Sequence, residues 1–418
     1  METALKVGFI GLGQRGSGFG MTDGSIGLLG NVLNNTNVLV TAVCDLYDER
    51  LDFAEKKITE KGYPSPLKTK NYRDVIKSGV DAVIVVTSWK MHVEVALECM
   101  KAGVAVAIEV GGTHCIDDCL KLVERYEETK TPFFFMENCC YNKDEILVTS
   151  LVRNGVLGDI SFCQGGYCHD LREEIIEVGL KRGHYRLEEY KNHNCENYPT
   201  HELGPIAKIL NINRGNRFTK LVSMSSKAQG LKEYVKNHPE FQKDLEGVEF
   251  KQGDVVTTMI SCENGETVLL KLDTTLPRLY DRNLTVSGTK GFYCQTTGAV
   301  ILDGGEFKES DPYKKAFFSQ DKYNEYLSED WKNITAEQLK TGHGGMDFVM
   351  LKHFFKAVKE KREMPIDVYD AATWMCVTAL SEESIRNGSA PVDFPDFTCG
   401  AYKNRKPVDC VEFPVIKK

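Results

Sequence analysis

The clearest chemical spacing in the chain is Gly11-Leu12-Gly13-Gln14-Arg15-Gly16. It follows directly on a short apolar run, Leu5–Ile10, and precedes a segment that reads as helix. Gly11, Gly13 and Gly16 permit a tight turn. With Gln14 and Arg15 they form a loop whose backbone N–H groups can approach a pyrophosphate at a helix N-terminus. A second apolar run, 38–45, ends in Asp45, whose carboxylate can accept hydrogen bonds from a ribose diol and repel a 2′-phosphate. This selects NAD over NADP. The two features are further apart than the usual ~20 residues, and an insertion around Thr22–Asn34 accounts for the excess. Thr87-Ser88-Trp89 follows a third run, and loops at strand C-termini line the cofactor crevice. Ser88, Trp89 and His92 are therefore cofactor candidates, with a surface helix position as the other reading of His92.

These groups need a sheet to hold them. Apolar runs at 5–10, 38–45, 80–87, 104–110 and 132–137 alternate with helical patterns, one of them over Met91–Ala102. That is an α/β pattern, a parallel sheet covered on both faces, and it defines an NAD-binding Rossmann domain over residues 1–137. The second half reads as α+β. Helical patterns cover Lys143–Asn154, Met346–Lys359 and Val368–Asn387. Strand-like stretches fall near 160–168, 217–226, 254–262, 266–275 and 283–303, and Asn264-Gly265 marks a hairpin. Residues 138–418 thus form a substrate-binding and oligomerisation domain around an open, mainly antiparallel sheet. Its proline-rich tail is expected to run extended over the surface. The polar stretch 170–197 reads as a long irregular segment of the kind that carries function.

Composition sets limits. Hydrophobic residues are 42% and charged residues 27% of 418, as in a globular enzyme of two domains. A net charge of −8 argues against nucleic acid or an anionic membrane as partner. Neither an export signal nor a membrane span is visible, so a cytoplasmic location is expected. The fourteen cysteines are scattered, without Cys-x-x-Cys. Cys115/Cys119 with His114, Cys163/Cys168 with His169, and Cys195 with His193 lack zinc-site spacing, and no metal is expected.

Several blocks in order carry a resemblance. They are Met136–Tyr141, Gly166–Arg172, Tyr198-Pro199-Thr200-His201-Glu202-Leu203-Gly204-Pro205, Pro277–Tyr280, Gly342–Asp347 and Pro391–Phe397. With a Rossmann half before an antiparallel half, the chain resembles the glucose–fructose oxidoreductase / inositol dehydrogenase superfamily. Dehydrogenases of that superfamily carry Glu-Lys-Pro and Asp-x-x-x-His. Here the segments read Glu109-Val110-Gly111-Gly112 and Asn197-Tyr198-Pro199-Thr200-His201. Both departures match the NAD-dependent glycoside hydrolases of family 109, typified by α-N-acetylgalactosaminidase. Three features depart from that family. Glu202 stands where Gly is usual, the loop from Tyr167 to Arg186 is shorter, and the export signal common in the family is absent.

The resemblance implies a glycosidase acting on an N-acetylgalactosaminide or related hexoside. The reaction is transient oxidation at C3 by NAD, elimination across C1–C2, water addition and re-reduction. It also implies a homo-oligomer, dimer or tetramer. By the same resemblance His201 is the base at the 3-hydroxyl, with Tyr198 one helical turn before it. Tyr167 and Tyr280 handle the C2 proton or the leaving group. Arg186 holds substrate oxygens, and Thr200 lies with them. Glu109, Val110 and Asn138 fall at strand ends beside the nicotinamide ribose. Glu202 is read as a substrate contact or a solvated helix residue. A conventional pair of catalytic carboxylates cannot be named from the sequence. Two other readings share the fold: an NAD-dependent sugar or inositol dehydrogenase, and a non-catalytic NAD-binding regulator.

Overall fold

A computed structural model describes residues 4–21, 25–35, 37–304 and 319–416. The first part of the expected insertion, Thr22–Gly24, lies outside the described residues. Strands β1 (Leu5–Ile10), β2 (Val38–Cys44), β3 (Leu67–Thr69), β4 (Ala82–Val85), β5 (Ala105–Ile108) and β6 (Phe133–Phe135) form one sheet in the order β3-β2-β1-β4-β5-β6. Every pairing is parallel. β4, β5 and β6 are buried at every residue, which is why they read as unbroken apolar runs. Each such Val, Ile or Phe contributes about 1.5–3 kcal/mol by leaving water. β3 was not anticipated: its sequence is Leu-Lys-Thr and it is the half-exposed edge strand.

Because the strands are parallel, all their C-termini open on one edge. That edge presents the Gly11 loop, Asp45, Thr87–Trp89, Glu109–Val110 and Glu137–Asn138 together. The helix after the glycine loop is short, α1 (Gln14–Ser17). It ends at the left-handed Gly18, and a second, fully buried helix follows, α2 (Gly27–Leu33). Helix α3 (Trp89–Lys101) starts two residues earlier than its apolar periodicity suggests.

The second sheet is mixed and eight-stranded. It comprises β7 (Ile160–Cys168), β8 (Phe218–Ser225), β9 (Val255–Cys262), β10 (Thr267–Asp273), β11 (Thr285–Gly288), β12 (Gly291–Cys294), β13 (Ala299–Leu302) and β14 (Val392–Asp393). The order is β13-β12-β11-β7-β10-β9-β8-β14, and only β7–β10 is parallel. The hairpin at Asn264-Gly265 is present between β9 and β10, with Gly265 at φ +99°.

Among the helices of this half are α4 (Lys143–Arg153), α5 (Arg186–Asn192), α6 (Thr200–Ile209), α7 (Met346–Glu360), α8 (Val368–Met375) and α9 (Val377–Arg386). Three readings change. The stretch 170–197 is largely helical, with turns over Glu174–Val178 and Gly179–Arg182 before α5; its charges sit on short helices rather than on an irregular loop. The single helix expected over Val368–Asn387 is two, separated at Cys376. The tail does not merely cross the surface: β14 pairs with β8, and Phe394, Phe397, Tyr402, Cys410 and Val411 are buried.

Candidate functional site

The glycine loop has the shape a dinucleotide needs. Gly11 has φ +93°, and a Cβ there would stand 2.4 Å from the Val86 carbonyl oxygen. A Cβ on Gly16 would stand 2.2 Å from the Gly11 carbonyl oxygen, so the helix could not seat against the strand. A Cβ on Gly13 would meet only Arg50, at 3.8 Å, so that face stays open. Asp45 is buried and accepts from the Leu12 backbone N–H (2.7 Å) and the Tyr47 N–H (3.2 Å). It fixes the loop and retains lone pairs for a ribose diol. The residues fit NAD: an open backbone cradle, a carboxylate at the end of β2, and no nearby clash on Gly13.

Arg15 does more than line the loop. Its Nε donates to Glu109 Oε2 (2.9 Å), and its guanidinium forks onto Asp347 at 2.5 and 3.0 Å. Asp347 is fully buried at the start of α7. It also accepts from Asn138 Nδ2 (2.8 Å) and faces His343 Nδ1 (2.9 Å). Burial opposes its charge, but Arg15 and His343 hold the carboxyl far below the ordinary range. Arg15 and Asn138 thus meet on Asp347, with Glu109 joined through Arg15; Asp347 is a residue that its sequence context does not mark out. Val110 is buried, and its N–H bonds to the Glu109 carboxylate (3.2 Å).

His92 is sealed beneath the crevice and is not a surface helix residue. Its Nε2 donates to the Thr87 carbonyl (2.9 Å), and burial pushes it down to about 4, so it is neutral and braces strand ends. Ser88 is the N-cap of α3. Trp89 is the first residue of that helix. It packs on Tyr185 (4.6 Å between ring centroids) and stacks on Tyr198 (5.8 Å).

That stack begins the second half of the site. Tyr198 lies 4.5 Å from Tyr167 and 4.9 Å from His201, and Tyr167 lies 5.5 Å from His201, ring to ring. Tyr280 is next, 6.4 Å from Tyr167. Arg186, the first residue of α5, sits over Trp89 and Tyr198 at 5.4 and 5.0 Å. Its Nε is 2.9 Å from Glu174 Oε1, without hydrogen-bond alignment, and its Nη1 is buried with no partner. The Tyr167 hydroxyl is 3.2 Å from His169 Nδ1, and the Tyr280 hydroxyl accepts from Arg282 Nη1 (3.2 Å). Arg282 is itself anchored on Glu145.

The decisive contact is His201 Nδ1 to Glu137 Oε1, at 2.8 Å. Glu137 is fully buried at the end of β6 and also accepts from the Cys139 N–H (3.0 Å). Burial pushes its carboxyl up, but the attraction and hydrogen bond of His201 prevail and hold it below its ordinary value. The Thr200 hydroxyl is close enough to contribute, although it is not aligned as a hydrogen bond. With Nδ1–H donating to a carboxylate, a neutral imidazole presents the lone pair of Nε2. Gly204 lets α6 come this close: a Cβ there would be 2.8 Å from Glu137 Cγ.

Glu202 is buried, which removes its reading as a solvated helix residue. Its Cβ lies 2.6 Å from where a Cβ on Gly165 would be, and its Oε1 has no partner. Burial, then Glu196 and Glu137, push its carboxyl well above the ordinary range, so it is a neutral acid. Glu137, Asp347 and Glu174 were missed as site residues. Glu137 alone had a usable signal, a carboxylate closing the wholly apolar run Phe133–Met136 at the sheet's C-terminal edge.

Comparison with known proteins shows the family and the fold. Residues 5–136 match the oxidoreductase family with an NAD-binding Rossmann fold, and residues 141–404 match the C-terminal domain of glycosyl hydrolase 109. The chain is 36% identical over 435 residues to a glycosyl hydrolase family 109 protein of Stenotrophomonas maltophilia, covering 97% of this chain and 91% of that one. It is 34% identical over 426 residues to an alpha-N-acetylgalactosaminidase of Tannerella forsythia, covering 96% and 88%. Among solved structures it superposes on levoglucosan dehydrogenase in complex with NADH and levoglucosan. The TM-score is 0.67 at 17% identity, covering 94% of this chain and all of that one, a likeness of fold.

Proposed function

The chain belongs to glycosyl hydrolase family 109 and is a glycoside hydrolase built on an NAD-binding fold; on that premise we propose that it cleaves an N-acetylgalactosaminide or related hexoside by oxidation at C3, elimination across C1–C2, water addition and re-reduction. The observation that carries this reading is the His201–Glu137 pair in a wall of aromatic residues, beside the unpaired Arg186 Nη1 and Glu202 Oε1. Buried polar atoms without partners are destabilising by about 1–3 kcal/mol each, and a polyhydroxylated ligand would satisfy several at once.

Bound NAD⁺ supplies a reversible two-electron oxidant at the sugar's C3. His201 Nε2 takes the 3-hydroxyl proton, and Glu137 steadies the imidazolium that forms. A C3 ketone acidifies the C2 hydrogen. Tyr167 or Tyr280 then moves the C2 proton, the first buffered by His169 and the second by Arg282. Arg186 holds sugar oxygens, with Trp89 and Tyr198 fixing its plane. The paired-carboxylate route finds less support. Glu137 is committed to His201 and the Cys139 amide, and Glu109 to Arg15, so neither faces a glycosidic bond freely.

The test is a panel of α- and β-linked nitrophenyl glycosides, N-acetylgalactosaminides included. NAD⁺-dependent nitrophenol release without accumulating NADH is expected, and with both anomers, since elimination depends less on anomeric configuration than displacement does. Net NADH with an intact glycoside would replace this reading with the dehydrogenase. We further propose a homo-oligomer. The uncovered face of the eight-stranded sheet carries exposed Met224 and Met259, and light scattering should give a mass above one chain.

A further inference from the structure

We propose that His114, His193 and Glu382 form a zinc-type divalent-cation site, with Glu189 behind His114, that pins the Rossmann half to helix α5. The four residues are far apart in sequence and arrive on three segments. His114 is in the loop that leaves β5 past Glu109 and Val110. Glu189 is on α5, with His193 four residues on at its C-terminal cap, and Glu382 is on α9.

Their side chains converge. His114 Nε2 is 2.6 Å from Glu189 Oε2, and His114 Nδ1 is 3.2 Å from Glu382 Oε2. His193 Nδ1 is 2.9 Å from Glu382 Oε1, and its Nε2 is 3.9 Å from Glu189 Oε2. The imidazoles stack at 3.6 Å and 17°. Donor atoms of His114, His193 and Glu382 all lie within 4.8 Å of one another. A tetrahedral zinc with bonds of ~2.0–2.2 Å spaces its donors about 3.3 Å apart; one nitrogen of each imidazole and one oxygen of Glu382 supply three donors and leave the fourth position to water. The donor set is also right in kind: two imidazole nitrogens and a carboxylate, with Glu189 on the other ring nitrogen of His114 to orient that ring. Glu189 is buried, while the other three side chains are 26–31% exposed, which leaves an entry path from solvent.

The site lies outside the His201–Glu137 machinery, yet it bears on it. Helix α5 begins with Arg186, and an ion held by His193 at its C-terminal cap would fix that helix against the loop after Glu109. Sequence spacing cannot reveal such a site, because only Glu189 and His193 are local to each other.

The experiment uses the full chain, stripped with chelator and titrated with zinc chloride alone by calorimetry and thermal unfolding. One ion per chain and a rise in Tm of a few degrees are expected. Glu382→Gln and the double variant His114→Ala/His193→Ala should lose both, while keeping the wild-type circular dichroism and NAD⁺ binding. Cobalt(II) in the site should give a tetrahedral visible spectrum without a thiolate charge-transfer band, which separates it from binding at the exposed Cys115 or Cys399. The absence of stoichiometric zinc overturns the proposal. So does zinc bound equally by the double variant, or a cobalt thiolate band.

Discussion

At the scale of single residues, the account turns on how His201 is held. Its Nδ1 is committed to a buried carboxylate, so replacing His201 and replacing its partner should give graded losses. His201→Ala should lower kcat by about 10²–10⁴-fold, the range for a removed general base. Glu137→Gln keeps a hydrogen-bond acceptor beside the ring but removes the charge that stabilises the imidazolium. It should lower kcat by about 10-fold or more with little change in KM, since Glu137 is too buried to touch the sugar. Steady-state kinetics on one nitrophenyl glycoside checks both, and equal kcat for Glu137→Gln and wild type would remove the pair from the mechanism. The tyrosine, arginine and histidine positions that the sequence suggested do come together here, although Tyr198 precedes α6 instead of sharing a helical turn with His201; the two rings still meet at 4.9 Å. Glu137 and Glu202 were harder to read. A lone carboxylate shows its role only when a partner from a distant segment lands on it, as His201 does on Glu137 across 64 residues.

At the scale of elements, the glycine loop and α7 work as one unit. Arg15, Asn138 and His343 all reach Asp347, so the first turn of α7 completes the crevice that the first sheet opens. Asp347→Ala would leave the Arg15 guanidinium short of a partner and Asn138 Nδ2 unbonded. Breaking a buried pair in this way costs about 3–5 kcal/mol, and the value here should fall below that because Arg15 is 28% exposed. The expected outcome is a lower Tm and a Kd for NAD⁺ raised several-fold, measured by calorimetry. An unchanged Kd would mean that Arg15 acts independently of α7. The elements themselves were legible wherever burial was two-sided, as in β4 and β5, whose apolar runs admit no other reading. They were not legible where context decides. β3 is too short and polar to announce itself, the charged helices of 170–197 carry no clear apolar stripe, and the break at Cys376 splits a stretch whose periodicity is continuous.

For the molecule as a whole, buried carboxyls set the response to pH. Burial pushes Glu196 up to about 8, with only the Tyr198 backbone amide opposing it. A folded-state value above the ordinary 4.5 means that the neutral acid is the form the fold tolerates. Its contribution to stability is full below 4.5 and is lost as pH rises through about 8. Thermal unfolding should therefore show Tm falling between pH about 4.5 and about 8. Glu196→Gln, which cannot ionise, should flatten much of that fall; a slope as steep as that of wild type would place the titration elsewhere. The whole-chain architecture was the most legible feature, since alternating strands and helices give way to hairpins at one point in the sequence. Among the described residues no helix is long and apolar enough to cross a membrane.

If the glycosidic bond breaks by elimination after oxidation, the C2 hydrogen is lost to solvent before the sugar is released. The enzyme is incubated with an N-acetylgalactosaminide in deuterated water with catalytic NAD⁺, and the released sugar is examined by NMR and mass spectrometry. The account predicts one deuterium at C2 in every molecule released, with no net NADH. Released sugar that keeps its protium at C2 would contradict it, because direct displacement at C1 leaves that bond untouched.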